Sequence, residues 1–447
     1  MIDFKKAKTL GRWNRREVLA ALGVGAAASL FGCANASTVL GGNTSLPTGE
    51  LTNDQLMDQM EQLGFAYFTK EIGASTGIVR DRANAISGGS STDTAGSISA
   101  TGFGLTALCI GASRGYASVA SIKEQVITTL QSLAKAQANT PEGKGFLYHY
   151  ININTLARAR TSEISSGDTA ILLCGMLMAR AYFNDPTITQ LVNTFYQNVN
   201  FQWMFNGGTT YSQGWYPESG FITYRYNKYC EMLMLYLLGI GSPTYPAPVS
   251  SWNALQRPYL TYDGYTYITG TAPLFIHQFS HAWFDFRNKK DQYTNYFNNS
   301  ILATEAHKQF CISLNSQFVD YSASLWGISS SDSANGYQVW GGPPAMGAID
   351  GSIVPNALGG SLAFLPNDAL TALQNLYNNF KSKVWTQYGF ADVFNPLTGF
   401  IGPDILGIDQ GIQVLMAENN RTGLVWNTFM QNPEILTAMN AVGFVAD

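Results

Sequence analysis

Five acidic residues sit in stretches that are otherwise apolar or aromatic, in a chain that is only 13% charged: Glu163, Asp168, Glu231, Asp409 and Glu418. Taking a carboxylate out of water is costly unless it is paired or hydrogen-bonded. Such groups often have shifted pKa values, which acid–base chemistry exploits. Two of them facing one cleft would suit cleavage of a glycosidic bond. Glu231 stands in Tyr-Asn-Lys-Tyr-Cys-Glu-Met-Leu-Met-Leu-Tyr-Leu-Leu-Gly (226–239), a run apolar nearly all round and therefore central. A structural ion pair with Lys228 or Arg225 is the alternative for it. Asp409 opens an apolar helical run, where an Asp can equally be an N-cap. Glu163 and Asp168 flank Ile-Ser-Ser-Gly, and Ser165-x-x-Asp168 also matches a helix start. Glu418 lies three residues before Arg421, which suggests a local pair.

His277, His281 and Asp285 are spaced i, i+4, i+8, one face of an expected helix over 275–285. Two His at that spacing can bind a metal. HExxH is absent and the chain has four His, so a packing hydrogen bond or a sugar contact is the better reading, and no metal or cofactor is expected. Serine nucleophile elbows, P-loops and Gly-rich dinucleotide turns are missing. Trp203, Trp215, Tyr216, Tyr224, Tyr337, Trp340 and Tyr388 could stack on sugar rings, although core packing accounts for any one of them.

The elements that must position these groups are helices. Thr52-x-x-Gln55 is a capping box ahead of an apolar face at Leu56, Met60, Leu63 and Tyr67. Similar patterns recur near 99–113, 119–138, 166–183, 187–200, 227–239, 275–285, 294–311, 367–382, 408–419 and 422–431. Long Gly/Ser/Tyr-rich loops at 202–225 and 326–361 join some of them, and such loops on a helical scaffold usually carry function. Short β pieces fit 145–152, 221–226 and 263–269. About eleven helices around one core predict an all-α toroid, with an inner ring of apolar helices and an outer ring of amphipathic ones.

The first 33 residues read as a targeting segment: a basic stretch (Lys5, Lys6, Lys8, Arg12, Arg15, Arg16), then the apolar run Val18 to Phe31. Arg15-Arg16 resembles a twin-arginine signal. Leu30-Phe31-Gly32-Cys33 resembles a lipobox with Cys33 as the lipid-bearing residue, and Ala34-Asn35-Ala36 offers an ordinary cleavage site instead. An exported protein is expected, periplasmic or anchored as a lipoprotein. Residues 34–50 read as a tether and 51–447 as one catalytic domain, expected as a monomer. Removing residues 1–33 takes six of the 26 basic and two of the 30 acidic residues, leaving a net charge of −8. No basic patch survives, which excludes nucleic acid as an expected partner. Cys109, Cys174, Cys230 and Cys311 show no metal-type spacing and are expected as free thiols.

Several motifs then run in a familiar order. They are Gly77-Ile-Val-Arg-Asp-Arg82, Thr101-Gly-Phe-Gly-Leu-Thr-Ala107, Gly145-Phe-Leu-Tyr-His149, Ser162-Glu-Ile-Ser-Ser-Gly-Asp-Thr-Ala170, Tyr229-Cys-Glu-Met-Leu-Met-Leu-Tyr236, Gly241-Ser-Pro-Thr244, His277-Gln-Phe-Ser-His281, Asp285-Phe-Arg287, Tyr388-Gly-Phe390, Leu406-Gly-Ile-Asp-Gln-Gly411 and Glu418-Asn-Asn-Arg-Thr-Gly423. From about residue 60 to the C-terminus the chain resembles the bacterial glucoamylase-like domain family, which includes the endo-β-1,2-glucanases of glycoside hydrolase family 144. The resemblance implies an (α/α)6 barrel and hydrolysis of β-1,2-glucan to sophoro-oligosaccharides with inversion. It implies Glu231 as general acid and Asp409 as the base. It implies a glucan cleft to which Glu163, Asp168, Arg80, Asp81, His281, Asp285, Tyr388 and Glu418 contribute. The family also holds a transglycosylase domain, so transfer is an alternative, as are an α-glucan hydrolase of the same fold and a glycan-binding lipoprotein without catalysis.

Overall fold

The computed structural model describes residues 50–85 and 93–447. The targeting segment and, Glu50 apart, the tether lie outside the described residues. Helices come in pairs along the chain, an outer amphipathic one and then an inner one. The pairs are α1 (Asn53–Lys70) with α2 (Ile98–Arg114), α3 (Val119–Ala138) with α4 (Ser166–Phe183), and α5 (Pro186–Asn198) with α6 (Leu233–Ile240). The short α7 (Ser250–Ala254) then precedes two 3-10 turns, Leu274–His277 and Phe279–Ala282, which occupy the fourth inner place. The pairs α8 (Tyr296–Ser313) with α9 (Pro355–Gly359) and α10 (Pro366–Val384) with α11 (Gly407–Arg421) complete six, and α12 (Leu424–Phe429) and α13 (Pro433–Ala441) follow. This is the (α/α)6 toroid. The expected capping box forms, Thr52 and Gln55 exchanging bonds of 2.9 and 3.2 Å.

Burial sorts the two rings. All eight residues of α6 and all five of α9 are buried, and α2 is buried from Ile98 to Ala112. Helices α3, α5 and α10 bury one face each. The inner helices pack side by side and point the same way. Gly102 on α2 meets the backbone of Ile171 and Leu172 on α4, Gly411 on α11 meets Phe103 on α2, and Gly359 on α9 meets Gln413 on α11. These contacts fall at similar heights along each helix, so the N-termini of the inner ring share one end of the barrel.

Short antiparallel strands furnish that end. Ala95–Ser97 runs directly into α2, Ile164–Ser165 into α4, and Asp404–Leu406 into α11. They pair with Tyr150–Asn152, Gly214–Tyr216 and Arg82–Asn84 respectively. The four cysteines of the described residues are free, as expected, and all but Cys230 are buried. No helix among the described residues is long and apolar enough to cross a membrane.

Candidate active site

Helix N-termini carry partial positive charge and favour carboxylates. Asp168 and Asp409 each occupy the third position of an inner helix, and Glu231 stands two residues before α6. The helix expected over 227–239 starts late because Asn227 and Tyr229 exchange backbone hydrogen bonds with Gln256, holding that stretch extended. Ser280 then fixes the turn, its hydroxyl donating to the Glu231 carbonyl and accepting the Met234 N–H at 3.0 Å. Neither Lys228 nor Arg225 pairs with Glu231. Arg225 instead binds the Thr210 hydroxyl at 3.2 Å and the Phe205 carbonyl. No ion pair holds Glu231 among the described residues. Burial first, and then the Asp168 carboxylate, raise its pKa to about 7.

Beside it lies a clamp centred on His149, which Nδ1 joins to Glu163 at 3.2 Å and Nε2 to Asp168 at 3.6 Å. Burial alone would lower the imidazole pKa, but the two carboxylates outweigh it and raise it to about 9. The ring stacks on Tyr150 at 3.8 Å, and the Arg160 guanidinium also lies over the Tyr150 ring, 4.8 Å from its centre. The Ser165 hydroxyl donates to Asp168 at 2.6 Å, and the Tyr216 hydroxyl to Glu163 at 3.4 Å. His149, Glu163 and Asp168 lie close enough together to be considered for a metal ion. With a carboxylate at each ring nitrogen, the arrangement suits an imidazolium held by two anions.

Arg160 leads on to a second group. It pairs with Asp81 at 2.8 Å, and Arg82 pairs with Asp81 at 3.1 Å and with Asp332 and Asp404 at 3.5 Å. Burial would raise the Asp81 pKa, but these two guanidinium groups hold it below the usual carboxylate range. Asp392 accepts the Asp332 N–H at 2.9 Å and faces Asp409. Asp392 Oδ1 and Asp409 Oδ2 are both buried without a donor, as two carboxyl groups sharing one proton would be. Burial and the partner carboxylate push Asp409 well above its ordinary range. Asp409 and Asp392 therefore titrate as a unit.

The other five expected cleft residues make their contacts elsewhere. His281 is 1% exposed, bonded to Ser300 at 3.0 Å between Phe286 and Phe364. Burial lowers its pKa to about 3, so it is a neutral core residue. The helix expected to carry it is the pair of 3-10 turns, which breaks the presumed common face with His277 and Asp285. Asp285 pairs with Arg287 at 2.9 Å and borders a 530 Å³ cavity formed with Met430, Met439 and Phe444, at the opposite end of the barrel. Tyr388 is buried and donates to Glu71 at 2.6 Å, and Arg80 pairs with the same Glu71 at 3.4 Å. Glu418 closes the far end of α11 against Arg114 at 2.7 Å. Its expected partner Arg421 instead binds Asp54, Asp58 and Glu61. Of the aromatics, Trp340 is buried in the core, whereas Trp203, Trp215 and Phe221 form a half-buried cluster next to Tyr216.

His149, Tyr226, Arg82, Arg160, Asp332 and Asp392 escaped the sequence reading. Asp392 carried the same signal as the others, an acid inside Gly-Phe-Ala-Asp-Val-Phe (389–394). His149 ended a recognised motif but gave no spacing clue.

Residues 223–433 match the Glycoamylase family model, a glucoamylase family. That match covers a little under half of the chain. A curated exo β-1,2-glucooligosaccharide sophorohydrolase (non-reducing end) of Parabacteroides distasonis is 27% identical over 430 residues, covering 88% of this chain and 58% of that protein. The chain thus spans little more than half the length of this relative. An endo-β-1,2-glucanase from Chitinophaga pinensis, solved with sophorotriose and glucose, has the same fold, with a TM-score of 0.82 at 24% identity over 89% of this chain and 99% of that one. A Bacteroides uniformis structure named as a glucoamylase gives 0.81 at 26%, with 89% and 99% covered.

Proposed function

We propose that this chain hydrolyses β-1,2-glucan to sophoro-oligosaccharides with inversion. The observation that carries the reading is Glu231: a carboxyl group at the end of the barrel where the inner helices begin, without a cationic partner among the described residues, raised by burial to about 7. Such a group still holds its proton near neutrality and can give it up to a leaving oxygen. In this mechanism Glu231 protonates the glycosidic oxygen as the bond to the anomeric carbon breaks. Water attacks that carbon from the opposite face and passes its proton to the Asp392–Asp409 pair. Asp81, Arg82, Arg160 and the His149 clamp form the chain of contacts that runs from Asp168 to Asp332 and offer charged hydrogen-bond partners to sugar hydroxyls. The sophorohydrolase and endo-β-1,2-glucanase relatives support the choice of linkage.

The basic, then apolar, N-terminal segment supports a further proposal, that the protein works outside the cytoplasm, with Cys33 as the residue that would carry a lipid.

The test is incubation of the domain with linear β-1,2-glucan and, separately, with starch. Sophoro-oligosaccharides from the first alone are expected. Glu231→Gln should lose about 10²- to 10⁴-fold in rate, the usual worth of a general acid, with an unchanged melting temperature. Release from starch, or a fully active Glu231→Gln, overturns the proposal.

A further inference from the structure

Gly167 is the second residue of α4, next to Asp168. A Cβ built there would stand 2.6 Å from the Tyr226 hydroxyl and 3.1 Å from Met232 Sδ. The first separation is shorter than real Cβ contacts show, so the bare glycine is what lets this hydroxyl lie over the start of α4. Gly167 has no positive φ to require glycine, so backbone conformation does not explain it. The loop that delivers Tyr226 is fixed at both sides: its N–H donates to the Tyr211 carbonyl at 2.9 Å, and its carbonyl accepts the Tyr236 hydroxyl.

The hydroxyl so placed lies beside the chain neighbours of Asp168 and Glu231, and both carboxylates are close enough to act on it electrostatically. Burial and these two carboxylates raise its pKa well above the ordinary phenol value, so it remains a donor throughout the working range. It makes no hydrogen bond with the described residues, and it is not among the polar atoms sealed from solvent. Tyr211 and Tyr236, its neighbours in the same wall, show the contrast: the Tyr211 hydroxyl is sealed in the core and that of Tyr236 is spent on a carbonyl.

We infer that Tyr226 is a substrate-contacting residue, whose hydroxyl donates to a sugar hydroxyl of the glucan unit held beside Glu231, and that Gly167 is the residue that admits it. The catalytic part of this rests on the reading of Glu231 as the acid; the binding part does not. A bulkier side chain at 167 would push the phenol off the start of α4 and take the donor with it.

The experiment is a double-mutant cycle of Gly167→Ala and Tyr226→Phe, read as kcat and KM on linear β-1,2-glucan and as calorimetric affinity for a sophoro-oligosaccharide in the Glu231→Gln background. Tyr226→Phe is expected to cost about tenfold in kcat/KM and a similar factor in affinity, the size of one hydrogen bond, at an unchanged melting temperature. Gly167→Ala should cost as much on its own and almost nothing once Tyr226 is Phe, because the group it displaces is already gone. Wild-type affinity for Tyr226→Phe, or fully additive losses, overturns the inference. Should Gly167→Ala fail to fold, Tyr226→Phe alone decides it. An active Glu231→Gln would defeat the proposed catalysis while leaving the affinity cycle to report on Tyr226 and Gly167.

Discussion

At the scale of the residue, the site separates its carboxyl groups by their neighbours. Asp81 has two guanidinium groups and stays ionised; Glu163 is held low by its bonds to His149 and Tyr216 against the opposing effect of burial. Glu231 has no such partner, and desolvation leaves it near 7. Because a general acid works only while protonated, kcat/KM should fall as pH rises through about 7. The opposite limb belongs to the Asp392–Asp409 pair as a unit. Removing the imidazolium clamp provides the check on the alkaline limb. Asp168 is the charge that reaches Glu231, and His149 offsets it, so His149→Gln should move that limb upward. A pH–rate profile in which the limb stays in place, or moves down, would show that the clamp does not tune Glu231.

At the scale of the element, regular helices were legible and their interruptions were not. The patterns at 119–138 and 166–183 match α3 and α4 residue for residue, because each is a long apolar stripe between clear caps. The runs at 227–239 and 275–285 look equally helical, but tertiary hydrogen bonds override them: Gln256 draws 227–229 into an extended path, and the second run breaks into 3-10 turns. Those two departures place Glu231 in a turn ahead of α6 instead of inside a helix. The short α7 and α9 carry too few residues for any periodicity to show. Site residues on helix starts were legible for a related reason, since Asp168 and Asp409 each precede an apolar run; Asp332 sits in a polar loop whose sequence gives no hint of what it faces. Ser280 joins the two interrupted elements by donating to one side of the turn and accepting from the other. Ser280→Ala should leave the Met234 N–H and the Glu231 carbonyl short of a partner, costing about 1–3 kcal/mol of stability. It should also lower kcat more than a stability-matched core variant does, since the acid would lose its anchor. Denaturant titration beside steady-state kinetics reads both effects.

At the scale of the whole molecule, the candidate site depends on inner helices that start level with one another. That alignment is set where backbones touch. Gly175 on α4 lies directly against the backbone of Gly102 on α2, and Gly102 lies against Ile171 and Leu172 in return. Neither glycine adopts a positive φ, so both are there for closeness and not for conformation. Helix propensity alone would make Gly→Ala favourable by about 1 kcal/mol. Here the added methyl meets main chain, which cannot rotate away as a side-chain tip can, and the two helices must part. Gly175→Ala is therefore expected to reverse the propensity gain and destabilise the domain by about 1–3 kcal/mol, as overpacking does. Because α2 and α4 carry the strands that seat His149 and Glu163, the same change should reduce glucan turnover beyond the fraction unfolded. Gly115→Ala gives the control: it has open space around it but a φ of +72°, so its cost comes from backbone strain at an exposed C-cap and should leave turnover per folded molecule intact. Equal turnover per folded molecule in the two variants would mean that the α2–α4 contact holds the barrel together without setting the geometry of the site.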